Sequence, residues 1–499
     1  MLLSKSNQTI EPNGKNIVSL KYGFTHWLKA ILSIIAVSSY PILFLYFQNS
    51  DEASFADVIV PLIIFIGAGV MIFLISYIII KCVSKAAIIS SLFMLLLMNY
   101  SFLERGVRTI FPGLYYWHIF LICLFILGHI VWFIYKKVNK DIANLCILII
   151  NIVFCGLILL NGLIATPKIV NKISFEKQLK EQKVEEKILI KDDDMPNIYY
   201  LIFDEYSSID FIKKYYNYDN SAFADNLEKI GFNVSYTSHN ESTNTATITA
   251  NLVNLDYIVK DKMPASEKDF YRKNNFLFNY LAKRNYEIVG VGDVKFYGLN
   301  NAVSTEKVSS KTIDGKTIAD IIYERTFISP FYKNYSYTKG AQEILDALEY
   351  LKGVANYSKN TFVLSHIVCP HAPFYFKSNG VPYKNPMEIW KDNNYYLGQY
   401  IFITSQIVEI VDSIITNDPE CVIIVQSDHS ARADSYENLN KFELKDKKSI
   451  FNAVYFKGEK IDIEGLSGVN TLRCLLNELF NDDFEMLEVP IDNSKLGKE

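Results

Sequence analysis

Residues 422–429 read VIIVQSDH, and residues 197–204 read NIYYLIFD. Each is an apolar, strand-length run that stops on a residue able to bind a metal. Open α/β sheets gather their sites at the carboxyl ends of strands. One such end carries Asp204 and another carries Asp428 and His429, so a sheet that brings them together surrounds one ion with carboxylate oxygens and an imidazole. Further strand-like runs at 286–291, 361–367 and 450–456 alternate with helical patterns near 221–230, 245–255, 273–284, 340–352, 390–416 and 468–480. That alternation predicts a mainly parallel sheet covered by helices on both faces. Residues 292–338 follow neither pattern and read as an insertion, and no internal repeat is visible.

Upstream of this region the composition changes. Apolar segments at about 27–47, 57–81, 86–103, 115–136 and 142–166 each approach the roughly 20 residues needed to span a bilayer. The third is the shortest and carries Asn99. The first is too long, too far from the terminus and too poor in small residues to read as a signal peptide. The domain organisation expected is therefore a five-helix transmembrane domain over 1–166, a charged juxtamembrane linker over 167–196 and an α/β extracytoplasmic domain over 197–499. The linker carries a loose helical stripe through Ile173, Phe175, Leu179, Val184 and Ile188, and its Asp192, Asp193 and Asp194 read as solvated acids rather than a metal site.

Lysines set the expected orientation. Lys5, Lys15, Lys21 and Lys29 precede or begin the first span, Lys81 and Lys85 separate the second and third, and Lys136, Lys137 and Lys140 separate the fourth and fifth. These loops fall on one side, which the positive-inside rule makes cytoplasmic. Five spans then place the α/β domain across the membrane, in a bacterium the periplasm or outer surface. The net charge of -4 over 499 residues argues against a general nucleic-acid binder. The seven cysteines form no CxxC pair and no disulfide framework.

Four of the seven histidines lie outside the apolar segments: His239, His366, His371 and His429. Three of these stand at or just past predicted strand ends, which favours a site over scattered structural roles. His239 opens the polar run SHNESTNTATITANL over 238–252. Its threonines alternate, as in a strand with a hydroxyl face, but Ile248, Leu252 and Leu255 recur at helical spacing, and the Thr/Asn cluster before them is good N-cap material. A threonine hydroxyl at a helix N-terminus faces free N–H groups and the positive dipole end, where a phosphate docks. Beside a divalent cation that hydroxyl can ionise and attack phosphorus. Spacing alone does not choose among the threonines.

The successive stretches IYYLIFDEYSS, STNTATITANLVNLDY, HIVCPHAPF and IIVQSDHSAR resemble the ordered motifs of the alkaline phosphatase superfamily. The nearest resemblance is to its membrane-anchored, sulfatase-like branch, which includes lipoteichoic acid synthases and lipid A phosphoethanolamine transferases. The resemblance covers nearly the whole chain and implies an alkaline-phosphatase-like catalytic domain. It implies Asp204, Asp428 and His429 as metal ligands, Thr245 as nucleophile and metal-bound hydroxyl, and His371 as a catalytic group that orients the phosphoryl or leaving group. Asn244, His366 and Arg432 are implied in substrate binding. One Mn²⁺ or Zn²⁺ ion is expected, with a second possible.

The chain departs from the family pattern in two respects. Asp204 is followed by Glu205, and either could be the first ligand. The sequence around Cys369 does not fit the C-x-P-x-R pattern of sulfatases, which argues against sulfatase activity. The function implied is metal-dependent transfer of a phospholipid head group, phosphoethanolamine or phosphoglycerol, to a surface polysaccharide or lipid-linked glycan through a phosphothreonine intermediate. A membrane-anchored phosphodiesterase or phosphatase is the alternative, and a non-catalytic glycan-assembly protein a third reading.

Overall fold

A computed structural model describes residues 13–51, 53–181, 195–297, 318–356, 360–387, 393–432 and 442–490. Asp192, Asp193, Asp194 and residues 298–317 of the unread 292–338 region lie outside these residues. The chain divides into two compact units, Met1–Val170 with Thr317–Lys333 and Asn171–Lys316 with Asn334–Glu499.

Among the described residues, five helices are long and apolar enough to cross a membrane. They are α1 (Asn13–Gln48), α2 (Ala56–Ile80), α3 (Val83–Ile110), α4 (Tyr116–Lys137) and α5 (Lys140–Glu181). Large apolar side chains such as Ile63, Ile79 and Leu163 stand exposed on them, as bilayer-facing residues do. Helix α3 runs beyond the apolar core seen in sequence, and Asn99 interrupts it with non-helical backbone angles. Helix α5 does not break near 166 but continues through Pro167 into the segment expected as a linker.

The second unit begins with β1 (Ile198–Phe203) and continues through α6 (Ile209–Tyr216), α7 (Ser221–Lys229), β2 (Phe232–Ser235), α8 (Thr245–Asn254), α9 (Ala265–Lys273), α10 (Phe276–Lys283) and β3 (Glu287–Gly292). Next in the chain is α11 (Ile318–Arg325), and α12 (Ser329–Lys352) then leads to β4 (Thr361–Ile367). The short pair β5 (Phe374–Phe376) and β6 (Pro382–Met387) precedes α13 (Asn393–Asn417), β7 (Val422–Ser427), α14 (Leu444–Lys447), β8 (Asn452–Phe456) and α15 (Gly468–Phe480).

The main sheet is ordered β2-β8-β7-β1-β4-β3. Strands β7, β1, β4 and β3 are mutually parallel, and β8 runs antiparallel to both of its neighbours. It is the mixed, mostly parallel sheet that the alternation of strands and helices predicts. The strand β2 and the β5–β6 pair are additions that the sequence pattern did not reveal.

Helices cover both faces, so every residue of β1 is buried and the strand reads as continuously apolar. Alternate side chains feed two cores. Tyr199, Leu201 and Phe203 join the α13 side with Ile403, Ile407 and Ile410. Ile198, Tyr200 and Ile202 join the opposite side with Ile248 and Leu252 of α8 and Leu472 and Leu475 of α15. Each such fully buried side chain contributes roughly 1.5–3 kcal/mol.

Segment 318–333 differs from the sequence expectation, which kept it in the α/β domain. It packs within the first unit: Ser101 Oγ donates to Glu324 O at 2.8 Å, Tyr116 Oη to Phe327 O at 2.6 Å, and Phe327 N to Leu97 O at 3.0 Å.

Candidate metal and phosphoryl site

Strand register builds the site. Phe203 on β1 lies opposite Ser427 on β7, so Asp204 and Asp428 are the next residues on neighbouring parallel strands. On the other side, Ile202 lies opposite His366 of β4, and His366 lies opposite Gly292 of β3. Strand alternation gives residues 200, 202 and 204, and likewise 424, 426 and 428, the same side of the sheet. That side is the one α8 covers. The carboxyl ends of β7, β1, β4 and β3 thus bring Asp428 with His429, Asp204, His366 and Asp293 together along one edge.

Asp204, Asp428 and His429 are buried and offer ligand atoms within 4.8 Å of one another, a group that could hold a metal ion. His429 Nε2 lies 3.2 Å from Asp428 Oδ2 and 3.9 Å from Asp204 Oδ1. His429 Nδ1 is 2.8 Å from Ser430 O. That bond assigns the ring hydrogen to Nδ1 and leaves the Nε2 lone pair for the cluster. Burial lowers the His429 pKa, outweighing the attraction of Asp428, so the imidazole is neutral at neutral pH. Burial opposes the Asp428 charge as well. The imidazoles of His429 and His366, the Thr245 hydroxyl and the Glu205 N–H together outweigh it and lower the pKa. Two buried carboxylates beside a neutral imidazole are costly without a cation, and oxygen-rich ligands with one nitrogen suit a divalent ion. The donor set fits the metal that the sequence implies.

The threonine run resolves into a helix N-terminus. Asn244 caps α8, accepting from Thr247 N at 3.0 Å through its side chain. Thr245 is the first helical residue. Its hydroxyl donates to Asp428 Oδ2 at 2.7 Å and lies 3.3 Å from His429 Nε2. Of the threonines in the run, Thr247 instead bonds Asn244 Oδ1 through its hydroxyl, and Thr249 bonds Thr245 O.

The backbone turn after β1 separates the two candidate acids. Asp204 enters the cluster, whereas Glu205 adopts φ 60° and accepts from Arg432 Nε at 2.7 Å. Arg432 also donates to Thr243 O at 3.2 Å and to His371 Nε2 at 2.9 Å. Burial works against the Arg432 charge, but Glu205, Asp204 and Asp428 outweigh it and raise its pKa. Arg432, expected in substrate binding, is a half-buried tie between three loops, with an N–H on each Nη atom left over from these bonds.

His371, expected to orient the phosphoryl or leaving group, meets the same arginine. Its Nε2 accepts from Arg432 and its Nδ1 faces Ala372 O, which suits a positioning group better than a proton donor. His366, expected to touch substrate, is buried, with Nε2 3.8 Å from Asp204 Oδ2 and Nδ1 3.2 Å from Tyr297 Oη. It stands behind the first acid. His239 is exposed and apart from the cluster, pairing across to Ser449 in an isolated bridge.

The sequence reading missed three contributors. Asn240 donates to Asp428 O at 2.7 Å and accepts from Gly468 N at 2.9 Å, which fixes the ligand loop. Buried Lys268 donates to Asn244 Oδ1 at 3.3 Å. Asp293 is buried directly after β3. It carries the signal that revealed Asp204 and Asp428, an apolar strand ending on an acid.

No protein-family model matches the chain, and no curated protein matches it. Among solved structures it is similar to the lipooligosaccharide phosphoethanolamine transferase EptA from Neisseria meningitidis, an integral membrane protein. The identity is 14%, the match covers 90% of this chain and 95% of that one, and the TM-score is 0.39. It is similar to the C-terminal periplasmic domain of EptC from Escherichia coli, at 12% identity over 58% of this chain and 83% of that one, with TM-score 0.39. That domain is also known in complex with zinc. The periplasmic domain of the phosphoethanolamine transferase EptC from Campylobacter jejuni matches at 15% identity over 60% of this chain and 94% of that one, with TM-score 0.37. At these scores the chemistry of the present chain rests on its own site.

Proposed function

We propose that this protein is a metal-dependent phosphotransferase that moves a phospholipid head group, phosphoethanolamine or phosphoglycerol, through a phosphothreonine at Thr245. The observation that carries the reading is the position of the Thr245 hydroxyl. It sits at the α8 N-terminus, bonded to a buried carboxylate and beside a neutral imidazole nitrogen. Asp204, Asp428, His429 and the Thr245 oxygen would hold one Mn²⁺ or Zn²⁺ ion. When bound, the ion would lower the pKa of the hydroxyl and draw charge from the phosphoryl oxygens.

Thr245 Oγ1 attacks phosphorus, and its proton passes to Asp428 Oδ2. The bond from phosphorus to the diacylglycerol oxygen breaks, and that oxygen takes the proton held on Asp428 to leave as diacylglycerol. A hydroxyl of a surface polysaccharide or lipid-linked glycan then gives its proton to Asp428 and displaces Thr245, whose oxygen takes that proton back from Asp428. Free N–H groups of the first turn of α8 receive the phosphoryl oxygens. Asn244 is exposed at the cap, with its side-chain oxygen turned to Thr247, so its amide N–H₂ is placed for a further substrate contact. Arg432 and His371 brace the rim, and His366 braces Asp204. The five apolar helices support a multi-pass protein of the cytoplasmic membrane with its N-terminus inside and the α/β unit facing outward, near a lipid donor.

The test is intact mass spectrometry of the full chain in detergent with phosphatidylethanolamine or phosphatidylglycerol and Mn²⁺ or Zn²⁺. Wild type gains a head-group mass that maps to Thr245, and Thr245→Ala gains none. Absence of an adduct with either lipid in metal-loaded protein refutes the lipid donor. Release of free head group without labelling of any glycan assigns the site to hydrolysis instead.

A further inference from the structure

The first unit contains a cavity of about 400 Å³ walled by α1, α3, α5 and α11. Ligand sites commonly hold about 300–1,000 Å³. The cavity lies where two helices are irregular. Pro41 interrupts the hydrogen-bond ladder of α1, and non-helical Asn99 kinks α3. Both line it, so regular side-chain packing fails there. The deeper wall is apolar, formed by Leu95, Met98, Phe154 and Ile322 among others, and Phe102 and Arg325 stand with them.

Two guanidinium groups stand beside this apolar space. The Arg325 guanidinium lies 5.1 Å from the centroid of the Phe102 ring, and Arg105 lies 5.0 Å from the same ring. Among the described residues neither arginine has a carboxylate within ion-pair distance, whereas nearby Arg108 pairs with Glu104 at 3.2 Å. Arg325 is half-buried. Burial, and then the like charge of Arg105, push its pKa below the usual arginine range. Two cations at the charged end of α3, beside an apolar space that leads back along that helix, call for a ligand with an anionic head and a hydrocarbon tail.

We propose that this cavity binds one anionic phospholipid, with an acyl chain among Leu95, Met98, Phe154 and Ile322 and the phosphate against Arg325 and Arg105. The occupant braces α11, which follows β3 in the chain, against the membrane helices. The inference rests on the helices as membrane spans and not on the chemistry at Thr245; phosphatidylglycerol is also a proposed donor, so the Arg325 and Leu95 variants separate this cavity from the Thr245 site.

Native mass spectrometry of the full chain in detergent, titrated separately with phosphatidylglycerol and phosphatidylcholine, tests it. One phosphatidylglycerol should be retained, at least about tenfold more tightly than phosphatidylcholine, since each basic residue near a membrane surface favours anionic lipid several-fold. Arg325→Glu should abolish this preference, Arg325→Lys should keep most of it, and Leu95→Trp should lose the lipid by filling the cavity while the charges remain. Equal retention of the two lipids by wild type overturns the proposal without reference to any variant. Undiminished phosphatidylglycerol binding by folded Arg325→Glu also overturns it.

Discussion

Replacing Asp204 by asparagine should stabilise the metal-free protein and destabilise the metal-loaded one relative to wild type. The side chain keeps its size and loses its charge. The ligand atoms of Asp204 and Asp428 lie within 4.8 Å of each other; at an effective dielectric of about 20, unit charges at that separation repel by about 3.5 kcal/mol. Asparagine removes that repulsion. His366 Nε2 stands 3.8 Å from Asp204 Oδ2 and a charge there would offset part of it, so the net gain should fall below the full repulsion. A metal present at about a hundred times its dissociation constant stabilises wild type by about 2.7 kcal/mol, and the variant should forgo most of this.

Thermal unfolding of the full chain in detergent, with chelator and then with Mn²⁺ or Zn²⁺, measures both effects. The two melting curves should exchange order. Glu205→Gln is the control. Arg432 donates to Glu205 Oε1 at 2.7 Å, and weakening a charged bond of this kind costs about 1.5–3 kcal/mol. That variant should melt lower in both conditions without crossing. If metal raises the melting temperature of Asp204→Asn as much as that of wild type, while Glu205→Gln no longer responds, the ligand is Glu205 and the reasoning fails.

Arg432→Lys keeps a charge near Glu205 but cannot span Glu205, Thr243 and His371 together. Turnover at the site should fall between about tenfold and a hundredfold through misplacement of the rim, with metal affinity nearly unchanged by isothermal titration. A Cβ on Gly292 would collide with the His366 carbonyl oxygen at φ 84°, so Gly292→Ala should destabilise the fold by about 2 kcal/mol or more, seen as a lower melting temperature. Burial raises the Glu241 pKa, although Asn251 bonds the carboxylate. Because the folded pKa lies above the unfolded one, the stability from the protonated acid is complete below the unfolded pKa and is lost as pH rises through the folded value. Glu241→Gln should therefore raise the melting temperature more at pH 8 than at pH 4, and an equal rise at both would rule out the buried acid as the cause.

Much of the architecture is local and therefore readable in the chain. The five apolar segments announce themselves by length and composition, and buried parallel strands read as unbroken apolar runs because helices cover both sheet faces. The acids and imidazole that end 197–204 and 422–429 are legible for the same reason: a parallel sheet aligns its carboxyl ends, and register carries Asp204 and Asp428 to adjacent positions. Strand β2 escaped because four residues, two buried and two half-buried, carry too little periodicity to stand out.

The choices within the site were tertiary. Whether Asp204 or Glu205 enters the cluster turns on the backbone step after β1, where Glu205 takes φ 60°, and on Arg432, 227 positions away, which claims the glutamate. Thr245 is selected over its neighbours because Asn244 takes the cap, which aims one hydroxyl at Asp428. The same arginine donates to His371, a contact that sequence spacing does not show. The docking of 318–333 against the membrane helices left no mark in sequence periodicity, because its bonds run to backbone carbonyls and to Ser101 and Tyr116 more than two hundred positions away. Local patterning fixes which residues reach the sheet edge, and the direction each side chain takes there depends on partners that only the folded chain supplies.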